Sequence, residues 1–166
     1  ADLTQSDDAA RVRRAYNEGH QIASHTFSHT DLTQLSEAGV EQEMNRLSDL
    51  LKRVIGRHVT YMRPPYGNTS SSVLSVLGRL GYRVVTWSID TNDWRHPGDS
   101  EASFQEYRSA MADGGADASY ISLQHDTQPG TNGHYVERVV AYARSLGKRL
   151  VRIDECFGAP GSAYRD

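Results

Sequence analysis

Apolar side chains recur along this sequence mainly at the spacing of amphipathic helices. The clearest period predicts a helix over residues 40–55, with an apolar face formed by Val40, Met44, Leu47, Leu51, Val54 and Ile55. The same spacing predicts helices over residues 7–18 and 69–80, around residues 104–111 and around residues 136–143. Each is followed by glycine, which suits a left-handed C-terminal cap, at Gly19, Gly56, Gly81, Gly114–Gly115 and Gly147.

Short β-branched and aromatic runs between these helices predict strands. One strand leads into His25, and the others cover residues 59–62, 82–89, 118–123 and 150–153. Helices and strands therefore alternate, an order that calls for parallel strands joined by right-handed helical crossovers. The sequence predicts an α/β fold, either an open doubly wound sheet or a β/α barrel.

Composition narrows the possible classes of protein. The chain has 166 residues, of which 37% are hydrophobic and 23% charged, as expected for one globular domain with one substantial core. A net charge of -3 argues against a nucleic-acid or anionic-membrane partner, because both require clustered Lys and Arg. No apolar run approaches the roughly 20 residues of a membrane span.

Chemically reactive residues follow the ends of the predicted strands one after another. Two histidines four residues apart, His25 and His29, follow the first strand and could bind one metal ion together. By itself this spacing is a weak signal, because two histidines in a loop need not act together. The later strands are followed by Arg63, Tyr66, Asp90, Asp93, Trp94, His125 and Asp126. Barrel enzymes carry their working residues in such loops, so this order predicts a single site and favours the metal interpretation.

Four short segments carry a resemblance to a known family. They are residues 24–29 (Ser-His-Thr-Phe-Ser-His), 63–67 (Arg-Pro-Pro-Tyr-Gly), 90–94 (Asp-Thr-Asn-Asp-Trp) and 123–125 (Leu-Gln-His). In order and spacing they resemble motifs two to five of the polysaccharide deacetylases, carbohydrate esterase family 4, which share the NodB homology domain. The surrounding phrases most resemble the fungal chitin deacetylases. The resemblance implies a distorted (β/α) barrel and a metal-dependent hydrolase that removes acetyl groups from N-acetylglucosamine polymers.

The resemblance assigns metal binding and proton transfer to named residues. His25 and His29 would bind zinc, or another divalent metal such as cobalt, which polarises the acetamide carbonyl and lowers the pKa of a bound water to roughly 7. His125 would be the general acid that protonates the leaving amine. Asp93, or Asp90 as the second choice, would orient the His125 ring and favour its charged form.

The remaining motif residues would hold the catalytic carboxylate and the substrate. The resemblance implies that Arg63 holds the carboxylate and that the backbone N–H of Tyr66 helps to stabilise the oxyanion. Trp94 and Leu123 would receive the acetyl methyl group, and Pro65 would complete the substrate-binding set with Tyr66. Some of these residues have a plainer alternative. Arg63 could form a surface ion pair, Trp94 and Leu123 could belong to the core, and an aspartate such as Asp90 often caps a turn.

One family motif has no counterpart in this sequence. The resemblance places the catalytic base and a third metal ligand in a Thr-Phe-Asp-Asp-Gly-Pro motif that lies roughly 30 residues or more upstream of the histidine motif. We therefore expect residues 1–166 to be the C-terminal portion of a deacetylase catalytic domain, with an incomplete barrel and an N-terminal fragment of the same protein as partner. The alternative is a catalytically degenerate member of the family.

Cys156 is the one cysteine of the chain. It resembles the C-terminal cysteine that fungal members pair with a cysteine near their N-terminus. The resemblance thus implies a disulfide bond and a secreted protein, located outside the cell or in the cell wall.

The expected partner is chitin or an N-acetylglucosamine oligomer. Acetylxylan and peptidoglycan are alternative substrates within the same family. A non-catalytic chitin-binding module derived from the fold is an alternative of another class, in which Trp94 and the tyrosines would stack on sugars without turnover.

Overall fold

The structure is a computed structural model that describes residues 4, 6–112, 114–115, 117–131 and 133–166. The chain divides into two compact units. The first consists of two segments, one up to Thr86 and the other Val151–Asp166, and the second is Trp87–Leu150. Each unit has a hydrophobic core of its own. The single catalytic domain expected from the sequence stays a prediction.

Helices are long and strands are short. The helices are α1 (Asp7–Asn17), α2 (Glu37–Ile55), α3 (Ser71–Arg79), α4 (Ser100–Ala112), α5 (His134–Ser145) and α6 (Ile153–Cys156). The strands are β1 (His58–Val59), β2 (Tyr61–Met62), β3 (Arg83–Val84), β4 (Ile89–Asp90), β5 (Ser122–Leu123) and β6 (Tyr164–Arg165). Across the described part of the chain, every helix is too short or too polar to cross a membrane.

The helix α2 is the main element of the first unit and begins earlier than the predicted start at residue 40. The Ser36 hydroxyl accepts a hydrogen bond from the Gly39 amide at 3.2 Å, and this N-cap starts the helix at Glu37. Gly56 ends the helix in a left-handed conformation with a φ of 77°, as the sequence predicts. The apolar face of α2 packs into a core that includes Leu32, Val40, Met44, Leu51, Val59, Met62, Val76 and Leu77.

Parallel pairing in the first unit aligns two segments that lead into predicted site residues. β2 and β3 are parallel, with Tyr61 opposite Arg83 and Met62 opposite Val84. Ser24, the residue before His25, forms a parallel bridge to Met62. The Ser24 carbonyl accepts a hydrogen bond from the Arg63 amide at 2.9 Å. Because parallel neighbours end on the same side, His25 and Arg63 leave their strands at one edge.

The predicted strand over residues 150–153 is wrong, because residues 150–152 lie in no strand and Ile153–Cys156 forms the short helix α6. Asp154 is fully buried, and its carboxylate accepts hydrogen bonds from the Glu155 and Gly161 amides at 2.9 Å each. The last strand is instead β6, antiparallel to β1, with His58 opposite Arg165 and Val59 opposite Tyr164.

The second unit pairs β4 with β5 in parallel, with Ile89 opposite Ser122 and Asp90 opposite Leu123. Its core contains Ile89 and residues of α4 and α5, namely Phe104, Tyr107, Met111, Tyr135, Val139 and Ala143. The loops after β4 and β5 therefore begin side by side, and they carry Asp93 and His125.

The other predicted strands are shorter or divided in the structure: residues 59–62 split between β1 and β2, and the strand into His25 is reduced to the bridge at Ser24. The run over residues 82–89 splits into β3, which pairs with β2, and β4, which pairs with β5. The predicted strand over residues 118–123 is reduced to β5. The glycines expected to end the fourth helix follow residue 113, which lies outside the described residues, and α4 ends at Ala112.

Candidate active site

Left-handed backbone conformations coincide with the motif segments. Among the described residues, the non-glycine residues with positive φ are Thr26 (66°), His29 (60°), Tyr66 (59°) and Asn92 (51°). All of them lie within segments 24–29, 63–67 or 90–94. Positive φ is unfavourable for residues with a side chain, above all for a β-branched residue such as Thr26. Such conformations persist where the surrounding structure fixes them, commonly in functional loops.

The tautomer of His25 is set by the backbone of a neighbouring segment. Its Nδ1 atom lies 2.6 Å from the carbonyl oxygen of Arg63. A carbonyl oxygen only accepts hydrogen bonds, so Nδ1 carries the proton and the lone pair lies on Nε2. Histidines that bind metals typically donate their other ring N–H to a carbonyl or carboxylate in this way.

His29 brings a second imidazole next to the first. The ring centroids of His25 and His29 are 4.8 Å apart, with the ring planes at 77°. Because metal–nitrogen bonds measure about 2.0–2.1 Å, two imidazoles this close could both reach one cation. Within the described residues, no group of three or more His, Cys, Asp or Glu side chains is arranged to hold a metal. The pair thus fits a metal centre but supplies two of the three protein ligands that a catalytic zinc usually has.

Asp31 links the loop of His29 to the loop of Tyr66. One carboxylate oxygen of Asp31 accepts a hydrogen bond from the Asn68 side chain at 2.8 Å. The other accepts bonds from the Thr33 amide at 2.9 Å and the Thr33 hydroxyl at 2.8 Å. The bond from Asn68, followed by those from Thr33, lowers the pKa of Asp31 below its ordinary value. The two loops are therefore joined through a carboxylate that stays ionised.

In the second unit, His125 is held by a buried aspartate. Its Nδ1 atom lies 2.8 Å from Oδ1 of Asp93, and its amide donates to Oδ2 at 2.6 Å. The Thr131 hydroxyl also donates to Oδ2, at 2.8 Å. Asp93 is only 1% exposed, so this carboxylate is fixed on both oxygens. With the Nδ1 proton directed at Asp93, Nε2 is the nitrogen through which His125 could exchange a proton with a ligand.

Asp93 is ionised despite its burial. Burial is the largest single effect on its pKa and raises it, because it disfavours the charged form. Hydrogen bonds from the His125 side chain, the His125 amide and the Thr131 hydroxyl together outweigh burial, so the pKa of Asp93 lies below its ordinary value. Asp93 therefore holds a negative charge at the Nδ1 edge of the imidazole ring.

Asp90, the second choice for orienting His125, has a different contact. Its Oδ1 atom accepts a hydrogen bond from the Asn92 amide at 2.9 Å, which caps the turn after β4. Arg63 is half-buried, and its backbone carbonyl is the group that meets His25.

The predicted substrate-binding residues differ in exposure. Tyr66 is 65% exposed, and its ring lies edge-on to His29, with centroids 5.0 Å apart. Trp94 is 46% exposed, and the Arg95 guanidinium stacks on its ring at 4.6 Å. The side chains of Pro65 and Leu123 are buried.

Comparison with known proteins identifies the family. The polysaccharide deacetylase profile matches residues 4–85. A chitin deacetylase of a Pestalotiopsis species is 38% identical over 153 residues, which are 92% of this chain and 50% of the relative. The solved chitin deacetylase of Colletotrichum lindemuthianum superposes with a TM-score of 0.89 at 30% identity, over 98% of this chain and 74% of that one. The chain belongs to the polysaccharide deacetylases, carbohydrate esterase family 4.

Another similar protein is named for peptidoglycan and not for chitin. A probable peptidoglycan-N-acetylglucosamine deacetylase of Arthroderma benhamiae is 36% identical over 158 residues, which are 93% of this chain and 35% of the relative. The chain thus spans half or less of the length of the two curated relatives named. The family and the (β/α) fold class predicted from the motifs are confirmed by these matches.

Several residues that shape the deacetylase loops were missed by sequence reasoning. Glu43, Asp31 and Asn68 hold the loops of the first unit, and Thr131 holds Asp93. Glu43 gave a usable signal, because it is a charged residue within the apolar face of the predicted helix. The other three lie in loops, where the sequence has no hydrophobic period that could indicate their role.

Proposed function

We propose that the protein is a metal-dependent polysaccharide N-deacetylase that hydrolyses acetyl groups from N-acetylglucosamine polymers, namely chitin and its oligomers. The observation that carries the proposal is the hydrogen bond from His25 Nδ1 to the Arg63 carbonyl, which presents the Nε2 lone pair next to a second histidine. Family membership and the chitin deacetylases among the relatives support the reaction and the substrate.

His25 and His29 are the residues proposed to hold the metal. Imidazole suits zinc and neighbouring first-row metals such as cobalt, and we propose zinc as the metal bound. When bound, the ion would supply Lewis-acid polarisation of the acetamide carbonyl and make water a stronger nucleophile at neutral pH.

His125 is proposed as the general acid. Hydrolysis adds the oxygen of water to the amide carbon, breaks the C–N bond and releases acetate, and the departing nitrogen must gain a proton to leave as an amine. Nε2 of His125 would donate that proton, while Asp93 holds Nδ1 and keeps the ring oriented. The resemblance gives the role of base to a carboxylate, and no residue of this chain is assigned to it.

Tyr66, Arg63, Trp94, Pro65 and Leu123 are proposed to serve the substrate and the oxyanion. The left-handed conformation of Tyr66, with a φ of 59°, sets the direction of an amide proposed to donate to the oxyanion. The exposed rings of Tyr66 and Trp94 offer surfaces on which a sugar could stack.

Two alternatives keep specific support. The name of the Arthroderma relative favours peptidoglycan as an alternative polymer, with acetylxylan as a further family substrate. The exposure of Tyr66 and Trp94 is also what a non-catalytic chitin-binding module would need. Such a module would bind chitin oligomers and release no acetate.

We also propose that the protein is secreted and that Cys156 forms a disulfide bond there. Cys156 is exposed on the short helix α6, where another chain segment could reach its thiol. Thiol titration of the natively purified full-length protein would check this. One reactive thiol at Cys156 would contradict the bridge.

The deciding experiment measures acetate released from chitin oligomers, peptidoglycan fragments and acetylxylan by the full-length protein. We expect release from chitin oligomers that a strong chelator abolishes and zinc restores. Release that continues unchanged in the chelator would contradict metal dependence. Binding of oligomers with no release from any polymer would favour the binding module or a catalytically degenerate member.

A further inference from the structure

Glu43 is a buried charged residue on the apolar face of α2. Only 9% of it is exposed, and it lies between Val40 and Leu47 on the face that packs into the core. Burying a carboxylate is unfavourable unless it is hydrogen-bonded, and an apolar residue here would continue the packing of the helix. A carboxylate at this position therefore indicates nearby hydrogen-bond donors, which an apolar side chain could not satisfy.

The partner is the loop between the two histidines. Oε2 of Glu43 accepts hydrogen bonds from the amide of Phe27 at 3.1 Å and from the amide of Ser28 at 2.8 Å. Hydrogen bonds to a charged acceptor are stronger than those between neutral groups. Arg46, one turn further along α2, adds a second contact by placing its guanidinium 3.8 Å from the centroid of the Phe27 ring. The helix thus holds the middle of the loop from outside.

The loop needs such support because its backbone is strained on both sides of these amides. Thr26 and His29 both have positive φ, at 66° and 60°. The His29 amide donates a hydrogen bond to the Thr26 hydroxyl at 3.1 Å, but this bond joins two residues of the loop and does not attach the loop to the rest of the unit. The conformation that brings the second imidazole back beside His25 is therefore stabilised by contacts from α2.

We propose that Glu43 is a positioning residue that holds the loop of residues 26–29 so that the rings of His25 and His29 stay paired. Its carboxylate contacts the loop backbone, so in this role it is neither a metal ligand nor a substrate contact. Its effect on metal affinity rests on the proposed function, whereas its effect on the pairing of the rings does not.

The test compares Glu43→Met and Glu43→Gln in the full-length protein. Methionine keeps the length and the apolar packing but cannot accept the two bonds, whereas the glutamine oxygen can still accept from both amides. Glu41→Met and Glu41→Gln are matched controls, because Glu41 is on the same helix, with its side chain 44% exposed and 3.6 Å from Arg79.

The first readout needs neither metal nor activity. We expect Glu43→Met to speed hydrogen exchange at the Phe27 and Ser28 amides by about 10- to 100-fold, as expected for a lost bond to a charged acceptor. Nuclear Overhauser contacts between the His25 and His29 rings should weaken in the same variant. Glu43→Gln should keep most of both signals, and both Glu41 variants should match the wild type.

The second readout is zinc affinity, measured by calorimetry. We expect Glu43→Met to weaken it by about 10- to 100-fold, as for other groups that orient metal ligands from behind. Unchanged ring contacts and unchanged loop exchange in Glu43→Met would overturn the inference, as would equal damage in Glu43→Gln together with a loss of global stability. Wild-type protein that binds no zinc would contradict the proposed function instead, and the ring contacts would still decide the role of Glu43.

Discussion

At the scale of single residues, two of the three candidate histidines, His25 and His125, are fixed through Nδ1. The acceptor for His125 is the carboxylate of Asp93, and the acceptor for His25 is the carbonyl of Arg63. The sequence could name these histidines and could prefer Asp93, because carboxylates and imidazoles are recognisable by type. It could not predict a backbone acceptor 38 residues away, since any residue carries a carbonyl.

The lowered pKa of Asp93 predicts a specific loss of stability in acid. The folded state favours its ionised form, so the stabilising contribution is fully present above the ordinary aspartate pKa of about 3.9. It is lost as the pH falls through the lower pKa of the folded state. Asp93→Asn should therefore be less stable than the wild type at pH 7, and the difference should shrink as the pH falls below about 3.9.

Urea unfolding of the wild type and Asp93→Asn at a series of pH values measures this difference. Thr131→Val provides a graded variant, because it removes one of the hydrogen bonds that lower the pKa of Asp93. Its curve should fall between the other two. Parallel loss of stability in the wild type and Asp93→Asn would show that Asp93 does not carry this effect.

At the scale of secondary structure, helices were predictable and strands only in part. The period of 3.6 residues and the glycine caps located the helices because packing follows the same period. The β-branched run over residues 82–89 was predicted as one strand, yet the division between the two units falls after Thr86. Its two ends pair with different partners, and such partners are not encoded in the run itself.

Two glycines with opposite roles test the prediction of helix ends. Gly56 has a φ of 77° at the end of α2, whereas Gly78 lies inside α3 with ordinary helical geometry. A Cβ atom would meet nothing within 4 Å at either position, so backbone conformation alone distinguishes them. Gly56→Ala should lower the free energy of unfolding by about 1–2 kcal/mol. Gly78→Ala should raise it by about 0.5–1 kcal/mol.

Denaturant unfolding of the two alanine variants under one set of conditions measures the contrast. Each variant is the control for the other, because the added methyl group is the same and the surroundings are open in both. Equal changes in the two variants would mean that the left-handed cap does not determine the stability of α2.

At the scale of the whole molecule, the motif residues divide between the two units. The histidine pair, Arg63 and Tyr66 belong to the first unit, and the pair of Asp93 and His125 belongs to the second. The order of motifs along the sequence was enough to predict the family. The contacts of Glu43 and Asp31 could not be predicted from it, because the partners of both residues lie in loops that have no period.

Metal binding and proton transfer should separate between variants of the two units. His29→Ala removes one of the two proposed metal ligands, so we expect it to lose zinc binding and acetate release together while remaining folded. His125→Ala should lower kcat by roughly 100-fold or more, the usual contribution of a general acid, and should bind zinc as the wild type does. His134→Ala is the control, because the His134 side chain is 99% exposed on α5 and has no role in the proposal.

Zinc content, zinc affinity and acetate release from chitin oligomers should be measured on the same preparations. Unchanged acetate release by His29→Ala would show that the histidine pair does not hold the catalytic metal. Loss of zinc from His125→Ala would make His125 a ligand and overturn its role as general acid. The separation follows from chemistry: a ligand acts on the affinity for the ion, whereas a proton donor acts only on the step in which the C–N bond breaks.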